Sequence, residues 1–190
     1  MQLSINRLIK LIPEWNKKSI EAKPINNGIT NINFKVIIDK ESFFVSIPSS
    51  SLELLNIDYR NKYYNNNICG EINISPKVIY FIESENLLVT EFIISKVASL
   101  RMFQGPQEIN KLVKNIKILH NAKPFLRKFD MFSQINYYQS ILKSGQLSQE
   151  KLKYINNIKT LKKKLYLPND KLVPWHNDLL ADNIIIKILI

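Results

Sequence analysis

"HNDLLADN", residues 176–183, runs directly into "IIIKILI", residues 184–190, and this junction decides how the chain is read. His176, Asp178 and Asn183 follow the pattern H-x-D-x4-N, a polar loop, while the run after them is apolar and β-branched, which is strand composition. Working back from the loop, apolar residues recur at steps of three and four. Ile109, Leu112, Val113, Ile116 and Leu119 form one set, Phe132, Ile135 and Ile141 a second, and Leu152, Ile155, Ile158, Leu161 and Leu165 a third. That period predicts amphipathic helices from Pro106 onward. Further back the period changes to two: "INFKVII" puts Ile32, Phe34, Val36 and Ile38 on one face, and "SFFVSI", "KVIYFI" and "LLVTEFI" have the same character. These four runs predict an antiparallel sheet. Between the second and third of them, "NIDYRNKYYNNNI" reads as a helix delimited by Gly70 and Pro76. No internal repeat and no low-complexity linker interrupts the order.

Composition narrows the function classes. At 190 residues and 45% hydrophobic content the chain can bury one sizeable core or two small lobes. No apolar run reaches the roughly 18 residues that span a bilayer, and "MQLSINRLIKLIPEWNKK" lacks the apolar core and cleavage site of a signal peptide. The expectation is a cytoplasmic protein without a membrane partner. The single cysteine, Cys69, forms no internal disulfide and has no histidine near it in sequence, which argues against a nucleophile. A net charge of +11 invites a nucleic-acid reading. The lysine clusters, Lys151 to Lys153 and Lys162 to Lys164, are modest, lie on an amphipathic stretch, and accompany no RNA-recognition motif. They read as a solvated surface, and a basic groove would equally suit a nucleotide triphosphate.

The loop carries the chemistry. Phosphoryl transfer to a hydroxyl needs a carboxylate that orients the hydroxyl and accepts its proton, and, five residues on, an amide oxygen that holds Mg2+. Asp178 and Asn183 have that spacing, with His176 as support for the loop. The plain alternative for all three is a hydrogen-bonded turn. "NNGITNINFKV", residues 26–36, adds a glycine that lets backbone N–H groups approach phosphate oxygens and small polar side chains that donate to them, although Asn-Gly between apolar runs also makes an ordinary hairpin turn. "LLVTEFIISK" is a strand running into a connector near Glu91 to Ser95.

This order and these motifs resemble the choline and ethanolamine kinases within the aminoglycoside phosphotransferase superfamily, along almost the whole chain. The resemblance implies an α+β, protein-kinase-like two-lobed fold: residues 1–94 form a nucleotide-binding lobe and hinge, and residues 95–190 a partial helical lobe. It implies ATP and Mg2+ as cofactors and a small amino-alcohol such as choline as substrate. It implies Asp178 as base, His176 as loop support, Asn183 as metal ligand, Gly28, Thr30 and Asn31 on the phosphates, and Glu91, Phe92 and Ile93 as the hinge that binds adenine through its backbone. "VKNIKILH", ending at His120, and "FDMF", residues 129–132, also resemble family wording; His120 reads as a packing residue and Asp130 as a helix N-cap. Trp175, Tyr137 and Tyr138 are aromatic, but none is assigned to the substrate.

Three departures set limits on that implication. Where the family usually carries a strand cation for the nucleotide phosphates, "FFVSIPS" offers Ser46. "IDYRNKYYN" keeps Arg60 and Asn65, but Tyr63, with Lys62 beside it, stands where the bracing acid is expected. The second metal-binding Asp would fall beyond Ile190. The expectation is therefore a C-terminally truncated or split member of weak or no activity, with "NIIIKILI" as an unpaired strand edge. Two alternatives stand beside it: a nucleotide-holding pseudokinase remnant or half of a split enzyme that a separately encoded C-terminal fragment completes, and an aminoglycoside or thiamine kinase-like activity.

Overall fold

The structure is a computed structural model and describes residues 5, 9–25, 31–49, 57–142, 148–165 and 171–188. Strands β1 (Ile20–Ile25), β2 (Asn31–Ile38), β3 (Glu41–Pro48), β4 (Val78–Ile82) and β5 (Leu87–Glu91) make a five-stranded sheet among the described residues, in the order β1-β2-β3-β5-β4. Every neighbouring pair is antiparallel. β2 and β3 are joined by Asp39 and Lys40, both at positive φ (49° and 72°), the twist that a two-residue hairpin turn requires.

Side-chain alternation gives the sheet two unlike faces. On one, Phe34, Val36 and Ile38 stand in register with Val45, Phe43 and Glu41. Val36, Ile38, Val45, Leu87 and Val89 are buried there, beneath Ile9, Ile12 and Trp15. Trp15 lies 4.9 Å from the Phe43 ring and 5.7 Å edge-on from Tyr80. The N-terminal segment thus covers this face. β1 was not singled out in the sequence, because "IEAKPI" carries a lysine and a proline; at the edge of a sheet a proline costs no ladder bond that the sheet needs.

The other face carries the polar residues. Asn31, Asn33 and Lys35 stand opposite Pro48, Ser46 and Phe44, and Ser46 in turn stands opposite Leu88. Helix α1 (Tyr59–Glu71) belongs to the same contact unit. Asp58 caps it, accepting from the Asn61 N–H at 2.9 Å. The helix starts and ends about three residues later than its sequence pattern indicated, and Gly70 lies inside it rather than beyond its end. A Cβ on Gly70 would sit 3.0 Å from the Lys77 Cα and 3.2 Å from the Pro76 carbonyl, so the glycine permits close approach of the chain that enters β4. Tyr63 stacks on Phe81 of β4, centroids 4.6 Å apart and rings nearly parallel at 5°.

Beyond β5, strand β6 (Ser95–Val97) leads through a short turn to helix α2 (Pro106–His120). β6 pairs antiparallel with β7 (Ile185–Lys187). The Ala98 N–H donates to the Ile184 carbonyl at 2.8 Å, and the Ile188 N–H to the Ile94 carbonyl at 2.9 Å. The final strand is therefore not an unpaired edge, as its sequence suggested: it closes a ladder with the segment just after the connector.

Contacts divide the chain into two units, Met1–Leu126 with Val173–Ile190, and Arg127–Leu172. The second holds α3 (Met131–Ile141) and α4 (Gln149–Leu165). Asp130 caps α3 as expected, accepting from the Phe132 N–H at 2.9 Å and the Ser133 hydroxyl at 2.8 Å. The Ser133 hydrogen bond, first among several interactions, holds the Asp130 carboxyl below the usual aspartate range. Among the described residues no helix is long and apolar enough to cross a membrane.

Candidate active site

The loop before β7 is shaped by local bonds. Asn177 adopts φ 63°, a left-handed conformation that asparagine tolerates better than most residues. That turn brings the Asp178 N–H to 3.3 Å from His176 Nδ1, so the imidazole accepts from the backbone of the residue it was expected to support. A 3-10 turn, Ala181–Asn183, then carries the chain into β7, and it aims Asn183 back at Asp178. Asn183 Nδ2 donates to Asp178 Oδ2 at 2.7 Å and to the Asp178 carbonyl at 3.1 Å. With Nδ2 committed twice, the amide oxygen Oδ1 is the atom Asn183 presents elsewhere. The structure thus brings His176, Asp178 and Asn183 together, and all three are solvent-exposed. Behind the loop, Trp175 stacks on His120 at the end of α2, centroids 4.7 Å apart, so His120 is a packing residue.

The connector lies at the other end of the β6–β7 ladder. The Glu91 N–H donates to the Lys77 carbonyl at 2.9 Å, its carboxylate accepts from the Lys77 N–H at 3.3 Å, and the Phe92 N–H reaches the Ser42 carbonyl at 3.4 Å. These bonds tie the end of β5 to its neighbours. Among the described residues Ile93 makes no backbone bond through its N–H or its carbonyl. Lys35 places its Nζ 4.5 Å from the Phe92 ring centroid.

Of the phosphate-turn residues, Gly28 and Thr30 lie outside the described residues; Asn31 opens β2. Asn31 Oδ1 accepts from the ammonium of Lys62, at 3.3 Å. Lys62 also approaches the Tyr59 ring at 5.8 Å, and burial pushes its pKa below the usual lysine value. Sequence reasoning named Lys62 only as the neighbour of Tyr63 and gave it no role. Its signal is a contact between residues 31 positions apart, which no local pattern encodes. Ser46 is buried, and no strand cation replaces it at that register position. Burial raises the Cys69 thiol pKa, which keeps it protonated and a poor nucleophile.

Asn183 Oδ1 and the Asp178 carboxylate are hard oxygen donors of the kind Mg2+ takes. They fit the ion in kind but not in number: among the described residues no group of three or more His, Cys, Asp and Glu is placed to hold a metal. Phosphate oxygens and water would complete the shell. A hollow of about 680 Å³ lies elsewhere, lined by Ile72, Val113, Lys117 and Ile118 among others, and contains none of these residues.

The five-stranded antiparallel sheet with its helices is an α+β, protein-kinase-like fold. A choline/ethanolamine kinase family protein from Mesorhizobium loti superposes with a TM-score of 0.72 at 18% identity, over 93% of this chain and 58% of its own. Choline kinase LicA from Streptococcus pneumoniae gives 0.74 at 20% identity, over 95% and 63%. Spectinomycin phosphotransferase APH(9)-Ia, in complex with ADP and spectinomycin, gives 0.59 at 14%, over 99% and 67%. At these identities the likeness establishes the fold. The chain spans about three-fifths of the length of the first two. No protein-family model and no curated protein matches it.

Proposed function

We propose that this chain is a phosphotransferase that moves the γ-phosphoryl of ATP to the hydroxyl of a small amino-alcohol of the choline or ethanolamine type. The observation that carries the reading is the 2.7 Å pairing of Asn183 with Asp178 on a loop strapped, through β7 and β6, to the connector after β5. In this reading residues 1–94 hold the nucleotide and residues 95–190 supply the loop. In the connector formed by Glu91, Phe92 and Ile93, the Ile93 backbone N–H and carbonyl pair with the adenine edge. Gly28, Thr30 and Asn31 line the phosphates. Asp178 orients the acceptor hydroxyl and takes its proton, His176 holds the backbone of Asp178, and Asn183 offers Oδ1 to Mg2+. Bound Mg2+ supplies charge neutralisation at the β- and γ-phosphates. The reaction belongs in the cytoplasm, where ATP and Mg2+ are abundant.

Ser46 and Tyr63 favour a second reading, in which the chain holds nucleotide but transfers phosphoryl feebly, alone or until completed by a separate C-terminal fragment. An uncompensated loss of the strand cation and its bracing acid weakens transition-state stabilisation by several kcal/mol, roughly two to three orders of magnitude in rate. Phosphorus NMR of the chain with ATP, Mg2+ and, in turn, choline, ethanolamine, thiamine and spectinomycin separates these readings. Transfer to choline or ethanolamine that falls about a thousandfold or more in Asp178→Asn supports the first. Nucleotide binding without transfer supports the second, and transfer only to spectinomycin or thiamine replaces the amino-alcohol.

A further inference from the structure

Lys62 is a charged side chain in a place where charge is expensive. It lies on α1, half-buried, and its ammonium donates to Asn31 Oδ1 at 3.3 Å. Among the described residues no carboxylate pairs with it. A desolvated ammonium without a counter-ion is retained where an anion visits, because removing it from water costs more than a single neutral acceptor returns.

Its position says which anion. The polar sheet face carries Asn31, Asn33 and Lys35 along β2, in that order from the strand's start toward the hairpin. Lys35 stands opposite Phe44, whose other neighbour is Thr90, and its Nζ rests over Phe92 in the connector. That is the adenine end. Asn31 is four positions away at the opposite end of the same row, where β2 begins, and Lys62 is the cation bonded there. Between them Asn33 faces the buried Ser46, which brings no charge.

Resting on the nucleotide-binding reading above, we propose that the Lys62 ammonium, presented from α1 rather than from a strand, is the cation that binds the phosphate chain of the nucleotide, with Asn31 as its positioning residue. The site exchanges the usual polarity: the helix supplies the positive charge, Ser46 stands uncharged on the strand, and Tyr63, stacked on Phe81, fixes the helix without a carboxylate. On nucleotide binding, Nζ turns from a neutral amide oxygen to phosphate oxygens and gains a charge-assisted bond.

The test is calorimetry of the full chain and of Lys62→Met with ATP and with adenosine, alongside mass-spectrometric measurement of amine acetylation at Lys62 in the unmodified chain. The expected result is a loss of about tenfold or more in ATP affinity for Lys62→Met, with adenosine affinity unchanged within about twofold, and shielding of Lys62 from acetylation by ATP but not by adenosine. Partial recovery of ATP affinity when Ser46→Lys is added to Lys62→Met would support the exchange directly. Equal ATP affinity in both proteins, or equal acetylation with and without ATP, overturns the proposal while leaving the nucleotide site intact. If the unmodified chain binds neither ATP nor adenosine, the functional reading fails and the proposal with it.

Discussion

At Lys62 the proposed phosphate contact and the stability of the fold meet in a single residue. Burial lowers its pKa, so the folded state binds its proton less tightly than the unfolded chain does. By linkage, the cost of holding the ammonium is fully present below the folded-state pKa and is relieved as pH rises through it toward the unfolded value, roughly 10.4. Lys62→Met should therefore melt higher than the parent at pH 7, and the gap should narrow as pH is raised; calorimetric melting at pH 7 and pH 10 measures it. A variant that melts lower at pH 7 would show that the Asn31 bond outweighs the burial. That Asp178 and Asn183 meet follows from their being five residues apart on one loop. The setting of Lys62 was not legible in the sequence, because its environment is made by β2, folded against it from 31 residues away. Asn183→Ala makes a separate prediction: calorimetry should show ATP binding that no longer responds to Mg2+, while binding without metal stays within about threefold.

The elements show the same division between local and distant causes. The four alternating runs and the three heptad-like runs became strands and helices because their periods are local properties of the chain. α1 was displaced by about three residues because its low amphipathic contrast leaves Asp58, through its cap bond, to set the start. Its end is set by Gly70 meeting Lys77 and Pro76, a tertiary contact. Gly70→Ala should lower stability by about 1–2 kcal/mol: the overpacking against backbone atoms exceeds the roughly 1 kcal/mol that alanine gains as a helix former. Urea titration tests it, and a stabilised variant would mean that the chain entering β4 moves freely. Asp130→Ala removes the cap of α3 and should cost about 1 kcal/mol in the same assay. β7 is too short to announce its partner; only β6, some ninety residues earlier, explains why it is paired.

For the whole molecule, the arrangement places the buried core and the polar site on opposite faces of one sheet. Ile9, Ile12 and Trp15 close the first face, so Trp15→Ala should cost about 3–5 kcal/mol and unfold much of the population near physiological temperature. Thermal denaturation followed by circular dichroism would show it; a loss below about 1 kcal/mol would mean the N-terminal segment is peripheral. The second face, free of that task, presents Asn31 and Lys35 from β2, with Lys62 of α1 bonded to Asn31 and Lys35 over Phe92 of the connector. The fold was readable from alternation, period and the H-x-D-x4-N loop taken together. The charge arrangement was not, because the expected strand cation is absent and its proposed replacement comes from another element. The most direct test of the central claim is titration calorimetry of the purified chain with ATP, with and without Mg2+. Saturable one-to-one binding that tightens with Mg2+ is the predicted result. The absence of binding in both conditions would contradict the account.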